Sequence, residues 1–292
     1  MATGTRRGAL RATAVLLGFV LLTLPLMPVQ AALLRAGSPL SKRLPHWYHR
    51  QVCRLLGLKI CQKGAVVSER PVLLVANHSS WLDILVLSAI APVSFVAKKE
   101  IASWPFAGTL ARLQRSVFVD RERRASVEGT RSEIQQRLLE GDTIVLFAEG
   151  TSSDGNKVLP FKTPLFAAAK PSRADDGVHA ACLQTLALAY TSLHGLPLGR
   201  ANRPLVAWYG DMDLAGHVWR LLAAGPLDVA VDIGPAIPLH AFEDRKALAR
   251  HAELEIRSAV AQLLHQHSGG QHSEEVAIAG GELPVGAVTI SR

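Results

Sequence analysis

Aromatic residues are scarce in this chain of 292 residues, at 5%, and cysteine is scarcer, at three. With no zinc-finger spacing, glycine-rich RNA motif or arginine-rich helix either, the composition gives a nucleic acid little to bind. Cys53, Cys61 and Cys182 are odd in number and show no C-x-x-C spacing. That argues against a disulfide framework and favours a reducing compartment. There is no G-x-S-x-G elbow to hold a serine nucleophile, and no H-E-x-x-H helix or cysteine pair to hold zinc. No internal repeat occurs.

What is present is apolar and basic. The chain is 49% hydrophobic with mean hydropathy +0.20, enough for a sizeable core in one large domain or two small ones. The net charge of +8 and pI of about 9.8 favour an anionic membrane surface or acidic substrates. No charged residue occurs from Ala12 to Leu34, a run near the ~20 residues that cross a hydrocarbon core. Pro25 and Pro28 interrupt its second half, so a kinked or re-entrant helix is expected. Arg6, Arg7 and Arg11 before it, and "VQA" at 29–31, would also suit a cleaved signal peptide. Arg35, Lys42 and Arg43 make the far flank basic too, and the uncleaved anchor is the reading taken. Residues 44–63 mix apolar and basic positions at helical spacing, as in an interfacial helix with Trp47 and Tyr48 at the boundary.

From residue 70 short apolar runs alternate with amphipathic stretches. Residues 71–77, 93–97, 116–119, 143–148, 185–191, 204–210 and 227–234 read as strands, and 80–90, 124–140 and 241–266 as helices. Apolar strands separated by helices predict an α/β fold, a mostly parallel central sheet flanked by helices. The expected division is an anchor and interfacial helix over 1–63, an α/β domain over 64–266, and a disordered tail over 267–292. Residues 170–180 read as a loop excursion.

Three polar stretches follow strand ends: Asn77–Asp83, Asp120–Arg124 and Glu149–Gly155. In a parallel sheet all three open onto one edge, where ligands bind in such folds. Within "VANHSSWLDILV", His78 and Asp83 are five residues apart, about 140° around a continuous helix at about 100° per residue. They meet only if His78 sits on a loop and the helix starts near Ser80. Ser80-x-x-Asp83 also fits a capping box, which would make Asp83 a helix cap and His78 an ordinary strand-end residue. The alternative is a general base: neutral imidazole takes a hydroxyl proton while the carboxylate fixes its tautomer. The substrate then supplies the nucleophile. Gly150 and Gly155 have phosphate-loop spacing, but Asn156 stands where lysine should, Lys157 is one place late, and Pro160 opposes the required helix.

"NHSSWLD", "FVDRERR" and "FAEGTSS", in that order, with "VAKKEIASWPFAG" (96–108) between the first two, resemble the lysophosphatidic acid acyltransferase family of glycerolipid enzymes. The resemblance covers about residues 70–235. It implies that His78 is the catalytic base and Asp83 its partner. It likewise implies that Phe118, Asp120 and Arg121 form a second block holding the glycerolipid head group. Glu149, Gly150 and Thr151 match a third block assigned to the acceptor. A membrane-attached acyltransferase is implied, with a lysolipid acceptor and acyl carrier protein or acyl-CoA as donor. No metal and no cofactor are expected, and the expected place is the cytoplasmic face of a bacterial inner membrane.

One departure bears on the head group. Many phosphatidate-forming members continue the third block as Glu-Gly-Thr-Arg-Ser, whereas Ser152, Ser153 and Asp154 follow Thr151 here. Losing a bidentate phosphate donor and gaining a carboxylate disfavours a dianionic head group. "EGTSSDGNKVLPFK" and "AWYGDMDLAGHVW" (207–219) resemble the lyso-ornithine lipid acyltransferase branch, whose acceptor carries an amino group. The alternative is a 1-acylglycerol-3-phosphate acyltransferase that makes phosphatidate, with Arg121, Arg124, Lys157 or Lys162 on the phosphate. An exported hydrolase activating water and a non-catalytic scaffold are the readings from other classes.

Overall fold

The computed structural model describes residues 6–68, 71–119, 133–168 and 181–266. Asp120, Arg121, Arg124, the 170–180 loop and the tail from 267 lie outside these. In chain order the elements are α1 (Arg6–Arg35), α2 (Leu40–Leu56), β1 (Leu58–Lys63), β2 (Val72–Ala76), α3 (Leu82–Ile90) and β3 (Ser94–Lys98). They continue with α4 (Ala107–Leu113), β4 (Val117–Val119), α5 (133–139), β5 (Thr143–Phe147) and β6 (Cys182–Leu193). The last are β7 (Leu196–Pro197), α6 (Leu214–Ala224), β8 (Leu227–Ile233), β9 (Ile237–Pro238) and α7 (Arg245–Gln266).

The main path of the sheet runs β1-β8-β6-β2-β5-β3-β4. Strands β6, β2, β5, β3 and β4 are mutually parallel, β8 turns antiparallel to β6, and β1 runs parallel to β8. This is the mostly parallel, helix-flanked sheet expected from the sequence. Every residue of β2 is buried because strands and helices enclose it on all sides, hence its unbroken "VLLVA". Leu74, Ala76, Leu186 and Leu188 face a core shared with α1, α2, α3 and α6. Leu73, Val75, Ile144 and Leu146 face the other, covered by Leu248, Ala252, Ile256, Val260 and Leu263 of α7 at helical spacing.

Two sequence readings are corrected. Residues 204–210 form no strand: Arg203–Leu205 is a 3-10 turn and the rest is irregular. Their backbone bonds go to the β2–α3 loop instead of a ladder, from Trp208 N–H to Ser79 O (2.8 Å) and from Ser80 Oγ to Val206 O (2.8 Å). Residues 44–63 are not one helix. Gly57, left-handed at φ 76°, closes α2, and the next residues form edge strand β1.

Helix α1 is unbroken through Pro25 and Pro28 and lies against the domain along its length. Arg11 donates to the carbonyls of Leu222 and Leu56, the latter at 2.7 Å. Thr23 Oγ1 meets Tyr48 OH at 2.8 Å, and Gln30 Nε2 donates to Ser41 O and Leu113 O. The opposite side exposes an apolar stripe that includes Leu10, Leu17, Leu21, Leu24 and Val29. Among the described residues, this is the one helix long and apolar enough to cross a membrane. Charge is also segregated. The first 68 residues hold ten of the 32 lysines and arginines and none of the 24 acids, so they carry +10 and the rest of the chain −2.

Candidate active site

At the end of β2, Asn77 fixes the turn into α3 by exchanging two bonds with the Leu188 backbone, at 2.8 and 2.9 Å. His78 follows on the loop, and α3 brings Asp83 back beneath it. Asp83 Oδ2 lies 2.8 Å from His78 Nδ1 and also accepts the N–H groups of Ser79 (2.7 Å) and Ser80 (2.9 Å). Its Oδ1 accepts the Tyr190 hydroxyl at 2.7 Å. Asp83 therefore serves both readings of the motif at once, cap and partner. The capping box is only half made: the Ser80 hydroxyl donates to Val206 O and accepts the Leu82 N–H at 3.4 Å, while the Asp83 N–H goes to the Ser80 carbonyl at 3.1 Å.

Asp83 is fully buried, and four donors converge on its two oxygens. Nδ1 of His78 is thus the donor of that pair, and Nε2 keeps its lone pair for a substrate proton. The His78 side chain is 19% exposed, and its ring stacks on Phe147 at 4.0 Å between centroids. Burial and the neighbouring Asp83 carboxylate hold the Tyr190 hydroxyl well above its ordinary range, so it stays a donor.

Glu149 lies in the turn two residues beyond β5 and is 1% exposed. One carboxylate oxygen accepts His78 N–H and the other Leu159 N–H, both at 2.7 Å. Burial, the largest influence, pushes its carboxyl up to about 7; the two N–H bonds oppose this and Asp83 adds to it. Ser153 N–H donates to His78 O at 2.8 Å, so both polar groups of the His78 backbone are held by the loop after β5. Gly150 sits at φ 71°, a conformation suited to glycine, and Thr151 beyond it is exposed. Ser152 Oγ donates to Trp208 O at 2.5 Å.

His78, Asp83 and Glu149 are thus joined by hydrogen bonds, and Gly150 and Thr151 follow directly. Phe118 is half-buried on edge strand β4, at the same end of the sheet but separated from β2 by β5 and β3. Asp120 and Arg121 lie outside the described residues. Tyr190, Phe147 and Trp208 were not legible as site residues, whereas Ser153 falls within the Glu149–Gly155 stretch. Tyr190 left the clearest signal, a tyrosine within a buried strand whose hydroxyl must find a partner. Asp154 caps its own turn, Oδ1 accepting Asn156 N–H at 3.0 Å. Beside it a narrow cleft is lined by Asn77, Ser79, Ser153, Lys157 and Arg203 among others. Arg203 reaches Asn156 Oδ1 at 3.2 Å, and its buried Nε has no hydrogen-bond partner among the described residues. No group of three or more His, Cys, Asp or Glu side chains able to hold a metal occurs among the described residues.

A buried carboxylate orienting an imidazole whose second ring nitrogen is open is able to act as a general base on a substrate hydroxyl. Residues 58–179 match the Acyltransferase family. The lyso-ornithine lipid O-acyltransferase of Brucella abortus is 46% identical over 88% of this chain and 96% of its own length. That of Rhizobium meliloti is 43% identical over 85% of each chain. The 1-acyl-sn-glycerol-3-phosphate acyltransferase of Neisseria gonorrhoeae is 36% identical over 70% of this chain and 75% of its own. The chain belongs to this acyltransferase family and is an acyltransferase. Its fold is that of the 1-acyl-sn-glycerophosphate acyltransferase PlsC of Thermotoga maritima. The TM-score is 0.56 at 22% identity, covering 80% of this chain and 81% of that one.

Proposed function

We propose that the protein transfers a fatty acyl group from an acyl thioester to the hydroxyl of lyso-ornithine lipid, giving ornithine lipid. His78 Nε2 takes the hydroxyl proton as the oxygen attacks the thioester carbonyl. Asp83 holds the imidazolium, the C–S bond breaks, and the proton passes to the departing thiolate. Acyl carrier protein is the preferred donor, with acyl-CoA the alternative, and the chemistry needs neither cofactor nor metal.

The observation that carries the choice of acceptor is Ser152. It replaces the arginine of the phosphatidate-forming members, and its hydroxyl is already committed to Trp208 O. The Brucella abortus and Rhizobium meliloti relatives, at 46% and 43% identity, are lyso-ornithine lipid O-acyltransferases, in keeping with this choice. Lys157 and Arg203, which line the cleft, supply the positive charge that a head-group carboxylate calls for. The family resemblance assigns Phe118, Asp120, Arg121, Gly150 and Thr151 to the head group. Glu149, both oxygens committed to backbone, serves it through the loop it holds. With α1 fastened lengthwise to the domain, its outer stripe lies along one leaflet of the bacterial inner membrane, on the cytoplasmic side. The Neisseria relative supports a second reading, transfer to 1-acylglycerol-3-phosphate.

The test offers lyso-ornithine lipid and lysophosphatidic acid side by side to detergent-purified protein with labelled acyl carrier protein. His78→Ala is the control. Preference for lyso-ornithine lipid, with at least about a hundredfold loss in the variant, is expected. Preference for lysophosphatidic acid would replace the proposed acceptor. Transfer unaffected by His78→Ala would overturn the mechanism.

A further inference from the structure

Between α1 and the catalytic loop stands a group of aromatic side chains that the chemistry above does not use. Residues Lys99–Ser103 form a 3-10 helix leading into Trp104-Pro105-Phe106 and then α4. Ala107 N–H bonds to Pro105 O at 2.6 Å across Phe106, which sits at φ 61° and ψ −56°. That is a γ-turn of the rare, strained hand, and a bulky side chain at positive φ is a genuine outlier. Such strain persists where the surroundings hold it, and it gathers at sites of function. Gly108 helps hold it: a Cβ there would lie 2.5 Å from Ala102 O, so the first turn of α4 presses on the 3-10 helix.

The strained turn aims two rings in useful directions. Phe106, 43% exposed, meets Phe19 of α1 edge-on at 6.2 Å between centroids. Trp104, 39% exposed, meets Trp208 edge-on at 6.3 Å. The Trp208 backbone is fixed between Ser79 O, next to the catalytic base, and the Ser152 hydroxyl. Aromatic surface therefore runs from the apolar helix to the residue beside His78 and leaves two large rings partly exposed.

Resting on the acyltransferase reading above, we propose that Trp104, Phe106 and Trp208 form the portal through which the acyl chain of the lysolipid acceptor passes from α1 to His78. The occupant is the single acyl chain of the lysolipid. Its hydroxyl-bearing end must reach His78 while the remainder stays with apolar surface, and the portal joins those two places. Offset and edge-on rings offer a chain dispersion contacts without asking for a hydrogen bond. A head group, which needs polar partners, is not suited to this path.

The test compares Trp104→Ala and Trp104→Phe with wild type on vesicles of phosphatidylethanolamine and phosphatidylglycerol. A long-chain and a short-chain lysolipid acceptor are each titrated at saturating donor, then the donor is titrated at saturating acceptor. For Trp104→Ala the expected result is a KM for the long-chain acceptor raised about tenfold, with kcat within about twofold. The short-chain acceptor should shift by less than about twofold, and Trp104→Phe should restore most of the difference. Vesicle flotation, measured in parallel, should match wild type. Equal losses on both acceptors, a raised KM for the donor instead, or lost flotation would each overturn the portal. If wild type itself transferred to neither acceptor, the acyltransferase reading would have failed, a result distinct from any of these.

Discussion

Glu149→Gln should give an enzyme that is more stable than wild type at pH 8 and markedly less active. The wild-type carboxyl is buried and held at about 7, against an ordinary value of 4.5. A folded-state value above the unfolded one means the native protein binds the extra proton. The associated stability is complete below pH 4.5 and is lost as pH rises through about 7. Two and a half units correspond to about 3 kcal/mol, which glutamine, a mimic of the protonated form, would not lose. Wild type and variant should therefore unfold alike at pH 4.5. At pH 8 they should differ by about 3 kcal/mol, or roughly 6–12 °C in Tm, in favour of the variant. Activity should move the other way. Only a carboxylate can accept both His78 N–H and Leu159 N–H, whereas the glutamine NH2 must face one of them. A lost charge-assisted bond of about 1.5–3 kcal/mol, if it falls on the His78 side, lowers kcat about ten- to a hundredfold. Thermal unfolding of detergent-solubilised protein at both pH values, with kcat at pH 8, tests both halves. An unchanged pH dependence of stability would show that burial does not raise this carboxyl. An unchanged kcat would show that the His78 loop does not need the clamp.

Tyr190→Phe removes one of the four donors to Asp83. It should cost about 1–3 kcal/mol of stability and lower kcat by roughly five- to tenfold with little change in KM, read from unfolding and steady-state kinetics. Arg203→Gln should raise KM for lyso-ornithine lipid about tenfold or more, by removing a cation that suits the head-group carboxylate. A variant indistinguishable from wild type in acceptor titrations would remove the Lys157–Arg203 cleft from head-group binding.

Strand β2 and the turn after it were legible because a five-residue apolar run between Pro71 and Asn77 is too short for a helix and suits a buried strand, and because His78 and Asp83 fit a loop-then-helix geometry and no continuous helix. The run at 204–210 misled for a physical reason. Val206 and Ala207 are buried as strand residues would be, but the backbone of this run bonds to Ser79 and Ser80 across more than a hundred residues, and no local pattern encodes that. The end of α2 was marked by Gly57, a left-handed cap that reading residues 44–63 for hydrophobic spacing alone passed over. Glu149 shows the remaining gap. A resemblance can place it in the site, but only the fold shows that both its oxygens are committed to backbone N–H groups and none is left for a substrate.

The uneven distribution of charge along the chain gives the molecule a permanent electrical polarity. A body with +10 at one end and −2 in the remainder feels a torque in any field, and the field above an anionic bilayer extends about 8–10 Å at ordinary ionic strength. Within that layer the acid-free end, which carries α1 and α2, turns toward the surface before any side chain makes contact. Rotational search is shortened, and the molecule arrives with its apolar stripe leading.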